Sequence, residues 1–209
     1  AGAPTPNFDP PGSTTVTGHE PGVLPNLFNL RHFFYQSTDD LNVPPHSNMA
    51  AAKALLEWKR SQPDGFDYRY VEVTDRGHAA PAEGYLPSLK WVFEKARNAR
   101  PKKFLWQPHL PWKKHFYWVY WDKPSTDAVY AFELKGPNEI EVGRIEGNSK
   151  PTAFSILVGP PLLDVAKEVV VRIEGKEAFR GIPKRTMSTL LLTLPRYDNG
   201  LLYDARIDL

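Results

Sequence analysis

The chain has 209 residues, 41% of them hydrophobic and 24% charged, enough for one large domain or two small ones with a real core. Its 26 basic and 24 acidic side chains leave a net charge of +2, too small an excess to point to a nucleic-acid partner. It has no cysteine, which excludes disulfides and cysteine-ligated metals and leaves the compartment open, and no stretch approaches the ~20 apolar residues of a membrane span.

Residues 1–29 carry Pro4, Pro6, Pro10, Pro11, Pro21 and Pro25 among Gly12, Gly18 and Gly22, and read as an extended Pro/Gly-rich loop. Ala1-Gly2-Ala3-Pro4 shows neither an initiator Met nor a signal-peptide core and reads as the product of processing or of an engineered boundary. Residues 31–36 (RHFFYQ) form a short aromatic run expected to be a buried strand, followed by a polar turn at 37–42. Pro44 and Pro45 lead into a helix over 47–60, with Met49, Ala52 and Leu56 recurring at helical spacing and Leu55 beside them. After Pro63-Asp64-Gly65 come a second strand, 68–73 (YRYVEV), a loop to 84, and a second helix over 86–98 with Leu86, Leu89, Phe93 and Ala96 on one face. Strand–helix–strand–helix predicts a parallel α/β unit with right-handed crossovers over residues 30–100.

Past Pro101 the helical periodicity stops. A linker is expected over 101–114, then an all-β sandwich-like domain over 115–209. Its strands are expected at 115–121, 128–134, 140–145, 154–158, 169–173, 189–194 and 202–207, and a tight hairpin at 173–177. In the run His115-Phe116-Tyr117-Trp118-Val119-Tyr120-Trp121, a single strand would be apolar on both faces. One face should fill the β core; the other should pack on the rest of the chain or stack on a ligand such as a sugar ring. The basic run Lys95, Arg97, Arg100, Lys102, Lys103, Lys113 and Lys114, with Trp106 and Trp112 interleaved, reads as a solvated helix end and linker.

In open α/β sheets the chemistry gathers in loops beyond the carboxyl ends of the strands. Two loops qualify: the first carries Asp39 and Asp40, the second His78. A carboxylate that holds the Nδ1–H of an imidazole fixes its tautomer and makes it a base, so Asp40 and His78 are the candidate catalytic pair. His46, beside the acid loop, reads as a capping or surface residue; His19, His32, His109 and His115 show no metal-ligand spacing, and no phosphate-binding glycine loop is present, so neither metal nor cofactor is implied.

Ser37-Thr38-Asp39-Asp40-Leu41-Asn42-Val43-Pro44 resembles the acid loop, Gly-x-x-Asp-x-x-Val-Pro, of α/β-hydrolases of the esterase, dienelactone hydrolase and prolyl-oligopeptidase type, with Ser37 in place of the usual glycine. Val73-Thr74-Asp75-Arg76-Gly77-His78 is similar to the family's Gly-His loop, and residues 86–98 with Trp91 to its last helix. Over residues 24–98 the resemblance implies the C-terminal part of an α/β-hydrolase sheet, with two βα units, and Asp40 and His78 as acid and histidine. The family order is Ser, then acid, then His. No Gly-x-Ser-x-Gly occurs: Ser13, Ser37, Ser47, Ser61, Ser88, Ser125, Ser149, Ser155 and Ser188 all stand in other contexts, and the oxyanion-hole loop is missing. The expected activity is therefore part of a serine hydrolase acting on esters rather than peptides, partnered by an N-terminal hydrolase segment or chain that carries the nucleophile. Neither nucleic acid nor membrane is an expected partner. Similar β domains follow some secreted bacterial esterases, which accords with a secreted or periplasmic setting. The alternative is a non-catalytic carbohydrate- or protein-binding module.

Overall fold

The computed structural model describes residues 6–8, 16–19, 21–43, 45–160 and 162–209. Ala1-Gly2-Ala3-Pro4, Pro10, Pro11, Gly12, Ser13 and Pro44, singled out above, lie outside them. The chain divides into two compact units, residues 1–97 and 98–209.

In the first unit, β1 (Pro6–Phe8) pairs antiparallel with β2 (Val16–His19), so the expected loop contains a short ladder, and Pro25–Leu27 closes a 3₁₀ turn. Strand β3 (His32–Ser37) leads to helix α1 (His46–Ser61), strand β4 (Tyr68–Val73) and helix α2 (Leu86–Phe93). Strands β3 and β4 are parallel and in unbroken register from His32 opposite Tyr68 to Ser37 opposite Val73. Two parallel strands are marginal alone. Here they are held by what packs on them. Ala51 and Leu55 of α1 are buried, and Phe66 sits edge-on to Phe28 at 5.4 Å with Trp58 at 6.0 Å. Phe66 adopts a φ of +58°, a conformation a bulky residue takes only when packing enforces it. Glycine precedes it because a Cβ at Gly65 would stand 2.3 Å from the Phe28 ring. Trp91, the buried anchor of α2, has two guanidinium groups over its ring, Arg31 at 4.6 Å and Arg69 at 4.2 Å, and Arg31 also donates to the Trp91 carbonyl and to Asp67.

Both helices form, but most of their expected apolar residues do not face inward. The buried face of α1 is Ser47, Asn48, Ala51 and Leu55; of the expected apolar residues Leu55 lies on it, while Met49 and Leu56 are exposed. Leu86, Leu89 and Phe93 of α2 are exposed, Phe93 at 78%, and α2 ends at Phe93 rather than 98.

The second unit begins with β5 (Lys103–Trp106), inside the segment expected to be a linker. There follow β6 (His115–Phe116), β7 (Val119–Tyr120), β8 (Ala128–Gly136), β9 (Glu139–Gly147), β10 (Ser155–Val158), β11 (Val169–Ile173), β12 (Lys176–Gly181), β13 (Lys184–Arg185), α3 (Met187–Thr193) and β14 (Ala205–Asp208). They make two five-stranded sheets, β12-β11-β9-β8-β5 and β13-β14-β10-β7-β6. Phe104, Trp106, Tyr130, Phe132, Ile140, Val142, Val169 and Val171 of the first meet Val119, Ile156, Val158, Ala205 and Ile207 of the second in one core. β9 and β11 pair in parallel while β10, between them in sequence, belongs to the other sheet. The β11–β12 turn places Glu174 and Gly175 at φ of +50° and +77°, the two left-handed positions of a type I′ hairpin.

The aromatic run is not one strand. β6 and β7 form a two-residue hairpin, His115 opposite Tyr120 and Phe116 opposite Val119, with Tyr117 and Trp118 at its tip. The tip is buried: Trp118 Nε1 donates to the Pro101 carbonyl at 2.8 Å, and Arg196 donates to the Tyr117 carbonyl at 2.7 Å. Of residues 189–194, expected as a strand, 189–193 belong to α3, which Thr186 caps by accepting from the Thr189 amide, and Leu194 opens a 3₁₀ turn. The β-branched threonines suggest a strand, but the cap decides for the helix.

The expected fold class, an α/β-hydrolase sheet part followed by an all-β sandwich-like domain, is therefore corrected. Strand residues outnumber helical ones, 32% against 21%, and the parallel sheet stops at two strands. The chain is β-rich, because the apolar surface that a wider α/β layer would bury is found instead between the two five-stranded sheets. Among the described residues no helix is long and apolar enough to cross a membrane.

Phe132 is fully buried, stacked on Phe104 at 5.1 Å and edge-on to Trp118 at 6.0 Å. Phe132→Ala should lower unfolding stability by roughly 3–5 kcal/mol, read as a reduced urea midpoint; a loss below about 1 kcal/mol would mean that the core does not close as described.

Candidate active site

The parallel register of β3 and β4 sends both following loops off the same end of the pair, and the Thr38 amide continues the ladder by donating to the Val73 carbonyl at 2.9 Å. The two sequence-nominated residues meet there. His78 Nδ1 lies 3.0 Å from Asp40 Oδ2, across 38 positions of sequence. The carboxylate is divided between two tasks. Oδ1 accepts the backbone amides of Asn42 at 2.9 Å and Val43 at 2.8 Å, an Asx turn that fixes the side chain, and Oδ2 faces the imidazole. The loop is tied behind Asp40 as well. Gln36, buried at the end of β3, donates to the carbonyls of Ser37 (2.7 Å) and Val43 (3.3 Å), and Asn48 of α1 donates to Gln36 Oε1 at 2.6 Å.

Exposure separates the partners: the Asp40 side chain is 10% exposed and that of His78 58%. The Val43 amide, then the His78 ring and the Asn42 amide, hold the Asp40 carboxyl below its ordinary value of 3.8 against the opposing cost of burial. The pair is thus a fixed, ionised carboxylate presenting one oxygen to an accessible imidazole. With Nδ1–H donating to Asp40, Nε2 carries the lone pair and can act as a base.

The histidine loop is shaped by Asp75 and Gly77, at φ of +60° and +51°. It is closed by the Ala79 amide donating to the Arg76 carbonyl at 3.0 Å and by the Arg76 guanidinium donating to the Ala80 carbonyl at 2.8 Å. Sequence reasoning placed Asp39 and Ser37 on the acid loop but gave neither a contact with the histidine loop. The Ser37 hydroxyl, standing where the resembled pattern has glycine, donates to Asp39, whose Oδ1 accepts the amides of Gly77 at 3.0 Å and Arg76 at 3.3 Å. The signal was the doubled acid Asp39-Asp40, of which one carboxylate serves the imidazole and the other the backbone.

No serine hydroxyl among the described residues hydrogen-bonds to His78, and no three His, Asp or Glu side chains among them gather as metal ligands. Trp118 and Trp121, expected to leave one aromatic face for domain packing or a ligand, are core residues of the second unit. The basic run is dispersed: Arg100 donates to the carbonyls of Gly200, Pro160 and Leu202 and lies 5.0 Å over the Tyr203 ring, Lys103 pairs with Glu133 and Lys114 with Asp122.

Because its folded pKa is depressed, Asp40 contributes stability that is complete at neutral pH and is lost as pH falls through that lowered value. An NMR acid titration followed at the Val43 amide should have its midpoint below 3.8; a midpoint at or above 3.8 would contradict the Asx turn. In Asp40→Asn the Asx turn survives, but an amide NH₂ faces Nδ1, so the ¹⁵N shifts of His78 should report a switch to the Nε2–H tautomer. Comparisons with protein-family models, with curated proteins and with solved structures return no match to this chain.

Proposed function

We propose that Asp40 and His78 are the acid and base of a serine hydrolase that cleaves esters, rather than peptides, by acyl transfer, the nucleophilic serine coming from sequence outside this chain or from a second chain. The observation that carries the reading is the divided Asp40 carboxylate: one oxygen fixed by two backbone amides, the other 3.0 Å from the Nδ1 of an exposed imidazole. A purely structural Asp–His contact has no need of a ring left open to solvent. A further support is the exposed apolar surface of the first unit, Met49 and Leu56 on α1 and Leu86, Leu89 and Phe93 on α2, which is what an additional packed segment would cover.

In this mechanism His78 Nε2 takes the proton of the serine hydroxyl as its oxygen attacks the ester carbonyl. Asp40 stays ionised and stabilises the imidazolium. The imidazolium then gives its proton to the departing alkoxide. Water, deprotonated by the same nitrogen, attacks the acyl-serine; the acid leaves and the serine regains its proton. Donors for the oxyanion would accompany the serine.

The test is fluorophosphonate labelling and p-nitrophenyl ester hydrolysis of the protein expressed from its complete coding sequence, with any co-purifying chain. The wild type should label on one serine. His78→Ala should reduce labelling and turnover by roughly 10³-fold or more with the melting temperature unchanged. Labelling that survives His78→Ala, or a folded preparation that neither labels nor turns over ester, would sink the proposal.

A further inference from the structure

We propose that Asp39, together with Ser37, is a positioning residue that latches the histidine loop to the acid loop and so sets the Asp40–His78 distance; the inference rests on reading that pair as acid and base. The catalytic contact joins two separate loops, and beside it the side-chain hydrogen bonds from Ser37 and Asp39 also cross from one loop to the other. Asp39 Oδ1 accepts from the Gly77 amide at 3.0 Å, directly before His78 in the chain. The Arg76 amide is shared at 3.3 Å between Asp39 Oδ1 and Ser37 Oγ. Ser37 is buried at the end of β3, opposite Val73 of β4, so the latch is rooted in the sheet. A fixed anion facing two successive amides keeps Gly77 in its left-handed turn and with it the direction in which the His78 side chain leaves the backbone. The adjacent carboxylates therefore divide the work: Asp40 holds the ring, Asp39 the backbone that carries it.

Amide exchange and the ¹⁵N shifts of the His78 ring, measured on the 209-residue chain without substrate, test this. Asp39→Ala should speed exchange at Gly77 by about tenfold and reduce the Nδ1–H population of His78. Asp39→Asn, whose amide oxygen still accepts, should return both towards wild type. Ser37→Ala should speed Arg76 more than Gly77, and gives an independent reading if Asp39→Ala does not fold. Unchanged Gly77 exchange and an unchanged His78 tautomer in Asp39→Ala would overturn the latch. The two readings fail separately. If His78→Ala keeps full labelling while Asp39→Ala still shifts the ring, the hydrolase reading falls and the latch stands. If His78→Ala abolishes labelling while Asp39→Ala leaves the ring unmoved, the latch alone falls.

Discussion

The parallel pairing of β3 with β4 is the constraint on which the site depends. Parallel strands in matched register end at the same level, so whatever follows Ser37 and whatever follows Val73 emerge side by side. That pairing brings an acid and a histidine separated by 38 residues to the same end of the strands. The pairing is in turn secured from outside the sheet, by the Phe28–Phe66–Trp58 cluster at one side and by Trp91 with Arg31 and Arg69 over its ring. A small unit with few buried side chains thus spends its packing on keeping two strands in register, and its hydrogen bonds on the loops beyond them.

The site was legible in sequence because it is local on each side. Asp40 and His78 each stand in the loop directly after a strand, in the Asp-x-x-Val and Gly-His patterns of residues 40–43 and 77–78. What was not legible is which of two adjacent carboxylates faces what, since that depends on the twist of one loop against the other. Of the fold, β4 and β11 were found residue for residue and β8, β9 and β10 within two positions, because alternating or continuous apolar runs bounded by turn residues mark them, whereas β5, β12 and β13 were not expected as strands.

Helical periodicity locates a helix but not its buried face when two overlapping apolar stripes exist. On α1 the buried stripe runs through Ser47, Asn48, Ala51 and Leu55. The aromatic run 115–121 has no glycine, proline, asparagine or aspartate to mark a turn, so nothing in it announces that Tyr117 takes a φ of +49°. The energy that permits this comes from the surroundings: rings of Phe104 and Phe116 within 5.0 Å of Tyr117 and a hydrogen bond from the Trp118 indole. The width of the parallel sheet is a different matter, set by strand partners and not by any residue in β3 or β4.

The buried tip of the β6–β7 hairpin has a consequence for anyone wishing to graft a peptide or permute the chain. Hairpin ends are ordinarily the permissive places in a β protein, exposed and tolerant of added residues. Here Tyr117-Trp118 is the reverse, a plug driven into the interior, where even one inserted residue would withdraw the indole from the Pro101 carbonyl. The tolerant apex of the second unit is instead the solvent-facing Glu174-Gly175 turn, and an epitope tag or new terminus belongs there.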